Sequence, residues 1–367
     1  MKRSLRLHLN GCLGSTKKSS INKTIMKQSP VVFLLVVVVM SMSIVMARSL
    51  RNDTLDVVMK TFEWVNSKSK DGFFPSTVTG QNVWDVYSGS TGVALFSLEY
   101  YSFTHDSRAT DLAFSSLNFT MTHWDSSFSQ QAGPYFFHWG RAGLGFTYHL
   151  VSRLLKPSNS AQYDEFARRM DLEVIDFFHS TPVVQWVNSI RRGAAGVALY
   201  LIHLLENAVY SHQPEMEQQV RSTLSFIVEG LLSNAVPVEG HPDMIKWVLT
   251  GNTGEEYPNY SYGTSGMVHF LLKLFTFTGN STYLDFALRG AKYIQYVGVH
   301  AQDGFYVGYS IPANSEVMSY LGECHGSSGL IKVLVHLFDV TKDQQWLNLA
   351  SETTDFLIAN TQDFNWW

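Results

Sequence analysis

The sequence predicts an all-α protein, an α/α toroid built from an inner and an outer layer of helices, and two observations carry that prediction. The first is a Gly-x-x-Gly dyad that recurs five times, as Gly89-Ser-Thr-Gly92, Gly140-Arg-Ala-Gly143, Gly193-Ala-Ala-Gly196, Gly263-Thr-Ser-Gly266 and Gly326-Ser-Ser-Gly329. The second is an alternation of helix types, because each dyad opens an almost wholly apolar run and the segments between these runs are amphipathic. The dyads lie 51, 53, 70 and 63 residues apart, which leaves room for two helices and a loop per unit. Self-similarity on that scale marks a repeat architecture.

Before the repeats comes a leader. Residues 1–47 carry seven of the 27 Lys and Arg and none of the 31 Asp and Glu, and residues 31–47 form an apolar run of seventeen. That length is short for a membrane-spanning helix and long for the apolar part of a signal peptide. Val45-Met-Ala47 offers small residues suited to cleavage, and Met26 offers a second plausible start. The run reads as a cleaved signal peptide, an uncleaved anchor or a core helix, and the first two, the main readings, send residues 48–367 to the secretory lumen, secreted or membrane-anchored. Membrane association is then expected only through this leader. Four Asn-x-Ser/Thr sequons after the apolar run, at Asn52, Asn118, Asn259 and Asn280, agree mildly with that destination.

The first helix of each unit starts at its dyad, as in Gly193-Ala-Ala-Gly-Val-Ala-Leu-Tyr-Leu-Ile-His-Leu-Leu. Glycine inside a helix costs about 1 kcal/mol against alanine, so two per unit call for a steric reason. Helices apolar on nearly every face are buried on all sides. The second helix of each unit, such as the one from Ser281 to Ile294, has one apolar stripe. Three units also keep register beyond the glycines: Thr104, Thr278 and Thr341 fall 15 residues after the first glycine, and Ala113, Ala287 and Ala350 fall 24 after it. Between them, Thr104-His-Asp-Ser, Thr278-Gly-Asn-Ser and Thr341-Lys-Asp-Gln read as helix–helix turns.

Without the leader the chain has 20 basic residues against 31 acidic ones, a net charge of −11. So acidic a domain, with no basic stripe, excludes nucleic acid as a partner. Only two cysteines are present, Cys12 in the leader and Cys324 in the last unit, so no disulfide forms within the domain. Three readings of Cys324 stand: an inert buried thiol, a metal ligand, and a reactive or intermolecular thiol. The adjacent His325 gives the metal reading weight, since a thiolate and an imidazole side by side suit zinc.

Together the dyads, Tyr260-Ser261-Tyr262-Gly263 and Cys324-His325-Gly326 resemble the lanthionine synthetase C-like (LanC-like) family, over roughly residues 55–360. The resemblance implies an α/α toroid with a central zinc ion, held by a cysteine in Trp-Cys-Tyr-Gly and by the pair in Cys-His-Gly. It also implies thiol addition to dehydrated serine or threonine residues of a peptide, or chemistry on a small thiol such as glutathione. Cys324 and His325 then fall on two zinc ligands and Ser261 on the third, where a hydroxyl is a much weaker ligand than a thiolate. His138 and His241 are the histidines that could complete the set. In Trp84-Asp85-Val86-Tyr87-Ser88-Gly89, Asp85 matches the family's proton-transfer aspartate; its structural alternative is a helix cap. The family's acid/base histidine has no match at the middle dyads, where Arg192-Gly193 and Tyr262-Gly263 stand, and His138 is offset by one residue. With zinc bound, the ion would activate a thiol and Asp85 or a histidine would protonate the product enolate.

Two further readings use the same scaffold. A catalytically inactive binding protein keeps the toroid without the metal. A glycosidase or epimerase uses paired carboxylates among aromatics, for which Asp85, Asp243, Glu255, Glu256 and Glu323 and the aromatics Trp84, Trp139, Trp186, Tyr262 and Tyr320 are candidates. Five inner helices are visible where the family's ring has seven, so an open ring or an incomplete chain is expected.

Overall fold

The computed structural model describes residues 49–69, 84–86, 89–124, 135–138, 140–155, 160–183, 186–249, 256–311 and 321–361. The apolar run at 31–47, Trp139, Glu255 and Tyr320 lie outside the described residues. Backbone proximity separates Met1–Val57 from Val58–Trp367. The first unit is described only from residue 49, where helix α1 (Ser49–Lys68) begins and runs into the second. Among the described residues no helix is long and apolar enough to cross a membrane.

Five helices begin at or just behind the dyads: α2 (Ser90–Thr104), α4 (Arg141–Leu155), α6 (Ala194–Glu206), α8 (Thr264–Thr278) and α10 (Ser327–Thr341). Each packs against the helix that follows it, namely α3 (Ser107–His123), α5 (Ser160–Ser180), α7 (Pro214–Ser233), α9 (Ser281–Val297) and α11 (Gln344–Asn360). The dyad helices also touch one another in the order α2, α4, α6, α8, α10. This is the α/α toroid arrangement, with the dyad helices inside and their partners outside. Inner α6 buries every residue from Ala194 to Leu204 except the half-exposed Leu199. Outer α9 buries only Ala287, Gly290, Ala291, Tyr293 and Ile294, a stripe at the three-and-four spacing of an amphipathic helix.

The dyads have a steric cause. A Cβ on the second glycine would sit 2.1 Å from the Val86 carbonyl oxygen at Gly92, 2.0 Å from that of Phe137 at Gly143, and 2.0 Å from that of Ile190 at Gly196. At Gly266 and Gly329 it would meet the carbonyls of Tyr260 at 2.1 Å and Glu323 at 2.2 Å. In all five units the chain entering the helix folds back over its first turn and leaves no room for a side chain. The same glycines admit the preceding unit: Val86 packs at Gly143, Ile190 at Gly266 and Tyr260 at Gly329.

The Thr and Ala register is explained as well. Thr104, Thr278 and Thr341 end their helices, and each hydroxyl donates to the carbonyl four residues back, at 2.8, 2.8 and 2.7 Å. The same oxygens accept the backbone N–H two residues on, from Asp106, Asn280 and Asp343, each at 3.2 Å. Between them His105, Gly279 and Lys342 turn the chain at φ 56°, 74° and 61°. Asp106, Asn280 and Asp343 then cap the outer helices by accepting from Arg108, Thr282 and Gln345, each at 3.0 Å. Ala113, Ala287 and Ala350 are buried one helix turn or more inside, where the paired helices approach closely.

Two small antiparallel hairpins supplement the helices, β1 (Val236–Val238) with β2 (His241–Lys246) and β3 (Val299–Ala301) with β4 (Gly304–Tyr306). Strand β2 lies on α9 and β4 on α11, so the hairpins extend the outer layer. Of the sequons, Asn280 is an exposed helix cap and Asn118 is exposed on α3. Asn259 is 1% exposed and donates to the Tyr309 carbonyl at 2.8 Å, so the folded chain has no room for a glycan there.

Candidate functional site

The loops that enter α6, α8 and α10 are joined through one equivalent position, two residues before the first glycine. The Arg191 N–H donates to the Ser261 carbonyl at 3.1 Å, and the Ser261 N–H donates to the Cys324 carbonyl at 2.9 Å. Cys324, Ser261 and Arg191 therefore stand in a row at the N-terminal mouth of the inner helices. His138 holds the same position ahead of Gly140. It is therefore the counterpart of Cys324 in the second unit, and its offset by one residue from the family's His-Gly histidine remains.

The side chains converge on the sulfur. An Nη1 nitrogen of Arg191 lies 2.7 Å from Cys324 Sγ, and since a guanidinium carries only donors the sulfur is the acceptor. Arg191 also lies over the Tyr262 ring, 5.6 Å from its centroid. His325 is walled by tyrosines: its ring centroid is 4.9 Å from Tyr262, stacked, 4.2 Å from Tyr309 and 6.0 Å from Tyr257. Tyr309 is brought in by a short bridge between Glu256 and Ile311, with the Glu256 N–H donating at 3.0 Å and the Ile311 N–H at 2.7 Å. Burial, reinforced by the Arg191 charge, holds the His325 imidazole down at about 4.

Behind the sulfur runs a second charged group. Lys332 on α10 donates to Glu323 at 3.1 Å and lies 4.3 Å from the Tyr260 ring centroid. Burial opposes its charge, but Tyr260 and Glu323 outweigh burial and hold the ammonium above its ordinary range. His138 feels the same groups. Burial presses it down to about 4, the Glu323 carboxylate pulls it up, and Arg191 and Lys332 push it down. The structure thus brings His138, Ser261, Cys324 and His325 into one region. It adds three charged groups, of which Glu323 had been read only as a carbohydrate-site carboxylate and Arg191 and Lys332 had not been singled out. Counting two residues back from every dyad would have found Arg191.

Other candidates fall differently. Asp85 is 1% exposed on the loop ahead of α2, where its backbone carbonyl accepts from Gly92 N–H at 3.3 Å. The residue at the N-cap of α2 is Gly89, and that cap has no side-chain hydrogen bond. His241 lies in β2 against Tyr296, with ring centroids 4.4 Å apart, on the outer layer. The carboxylates available for sugar chemistry are mostly tied to cations: Asp243 to Lys292 at 2.9 Å, Glu323 to Lys332, and Glu256 to Lys246. Trp84 and Trp186 are each 2% exposed, which makes them core rather than sugar platforms.

Zinc does not fit the donors present. Among the described residues no group of three or more His, Cys, Asp or Glu is placed to hold a metal ion. Ser261 offers a hydroxyl in place of the third strong ligand, and the sulfur that would bind the ion already accepts from a permanent cation.

Paired helices around a mouth that carries a Cys-His-Gly turn define an α/α toroid. The family model described as lanthionine synthetase C-like protein matches residues 80–352. The chain belongs to that LanC-like family. Among solved structures, nisin cyclase superposes with a TM-score of 0.60 at 14% identity, over 85% of this chain and 78% of that one. An unsaturated glucuronyl hydrolase specific for heparin superposes with a TM-score of 0.52 at 12% identity, over 83% of each chain. At such identities the likeness is one of fold. A comparison with curated proteins returned no match.

Proposed function

We propose that this LanC-like protein takes a peptide or small electrophile at the mouth of the toroid and that Cys324 is the sulfur that meets it, without a metal. The observation that carries the reading is the Arg191–Cys324 contact, 2.7 Å long. A guanidinium that donates to the sulfur holds it in place at the mouth, where an electrophile seated against the tyrosines would meet it. The resemblance to peptide cyclases supports a dehydroamino acid as the electrophile. In that addition the S–C bond forms at the β-carbon and the C=C π pair moves to the α-carbon. The α-carbon takes a proton from solvent, replacing the one the thiol gave up. Tyr257, Tyr262 and Tyr309 supply an aromatic wall for the ligand's apolar parts.

Incubation with a dehydroalanine peptide followed by mass spectrometry tests this. One adduct is expected, located at Cys324, absent in Cys324→Ser and slower in Arg191→Gln. If the peptide binds in calorimetry and forms no adduct, the protein is a binding member of the family and the covalent step is wrong. Neither adduct nor binding would refute both readings. The family match favours the peptide reading over the carbohydrate alternative, three of whose five carboxylates are paired with lysines.

A further inference from the structure

We infer that the guanidinium of Arg191 takes the electrostatic place of the family's zinc ion, so that a residue of the chain itself keeps the Cys324–His325 pair free of metal. The family resemblance supplies two of three zinc ligands, and the missing one suggests a site merely weakened by a serine. The geometry shows more than a missing ligand. Arg191 is held in position from two sides, by its N–H on the Ser261 carbonyl at 3.1 Å and by its guanidinium over the Tyr262 ring at 5.6 Å. From there it reaches the Cys324 sulfur at 2.7 Å. A zinc ion bonds to a cysteine sulfur at about 2.3 Å. Such an ion would face a permanent cation across the same sulfur atom, and the repulsion between the two positive charges weakens its binding.

The three loops make this replacement legible as a whole. Arg191, Ser261 and Cys324 occupy equivalent positions on consecutive loops, and their backbones are joined in series. Exchange of a thiolate for a hydroxyl at Ser261 removes a negative charge from the cluster, and the guanidinium supplies one fixed positive charge in place of a dication. The two differences are therefore one change in charge balance. Lys332 is neutralised by its ion pair with Glu323, the residue before Cys324, so the guanidinium of Arg191 remains the cation set against the sulfur.

The inference does not depend on Cys324 forming an adduct, and its test reads metal content rather than activity. The full chain, equilibrated with zinc and freed of excess by gel filtration, is measured as wild type, as Ser261→Cys, and as Ser261→Cys combined with Arg191→Ala. Wild type and Ser261→Cys are expected to retain no stoichiometric zinc, and the double variant to retain about one ion per chain, lost again when Cys324→Ser is added. Cooperative melting of each variant establishes that it is folded. If the double variant does not fold, Arg191→Met replaces Arg191→Ala, since it removes the charge and keeps much of the length. Stoichiometric zinc in wild type or in Ser261→Cys alone would overturn the inference. So would a folded double variant that remains free of metal.

Discussion

At the scale of single residues, the inner helices carry polar groups that burial alone would exclude. Glu99, on α2 ten residues after Gly89, has a buried Oε1 with no hydrogen-bond partner, and burial lifts its carboxyl from 4.5 to about 7. A carboxyl raised on folding holds a proton that the unfolded chain releases above pH 4.5. Its contribution to stability is therefore full below that pH and is lost as pH rises toward 7. Glu99→Gln is expected to raise stability at pH 8 by up to about 2 kcal/mol, discounted for partial exposure, and to leave it unchanged at pH 4. Chemical denaturation at the two pH values checks this, and equal gains at both would contradict it. Among individual residues, Cys324 and His325 were readable because two chemically distinctive side chains stand adjacent. Arg191 was missed because a single arginine carries no signal until the residues two ahead of each dyad are compared, when it lines up with Ser261 and Cys324.

At the scale of elements, the recurring glycines were legible as needing a steric reason, and the structure supplies it. The reason lies in the backbone of the entering loop rather than in a neighbouring helix alone, which no reading of side-chain patterns could show. An exposed helical glycine is usually stabilised by alanine, by roughly 0.4–1 kcal/mol. Gly329→Ala is expected to do the opposite, since its Cβ would sit 2.2 Å from the Glu323 carbonyl oxygen and 2.7 Å from Tyr260. A loss of about 1–3 kcal/mol is expected, the range for overpacking, measured by thermal or denaturant melting. Alanine neutral or stabilising there would show that the loop does not need the glycine. The turns were legible for a related reason: threonine, then a left-handed residue, then Asp or Asn is a local hydrogen-bonding unit written in consecutive residues. The hairpins were less so, because three-residue strands leave almost no alternation to read.

At the scale of the whole molecule, the chain keeps the LanC-like toroid, and the proposed exchange of zinc for a guanidinium is confined to its mouth. The fold rests on the paired inner and outer helices and on the five dyads, none of which involves Cys324 as a ligand. Loss of the third thiolate therefore leaves the architecture intact. What the expected zinc would have supplied, a fixed positive charge against the sulfur, comes from Arg191 across two loops distant in sequence. If Arg191 plays that part, its contact governs the reactivity of the sulfur. The direct measurement is the rate at which Cys324 is alkylated by iodoacetamide at pH 7, followed by mass spectrometry of its peptide in wild type and in folded Arg191→Gln. Loss of the guanidinium is expected to slow alkylation by about tenfold. An unchanged or faster rate in Arg191→Gln would contradict it.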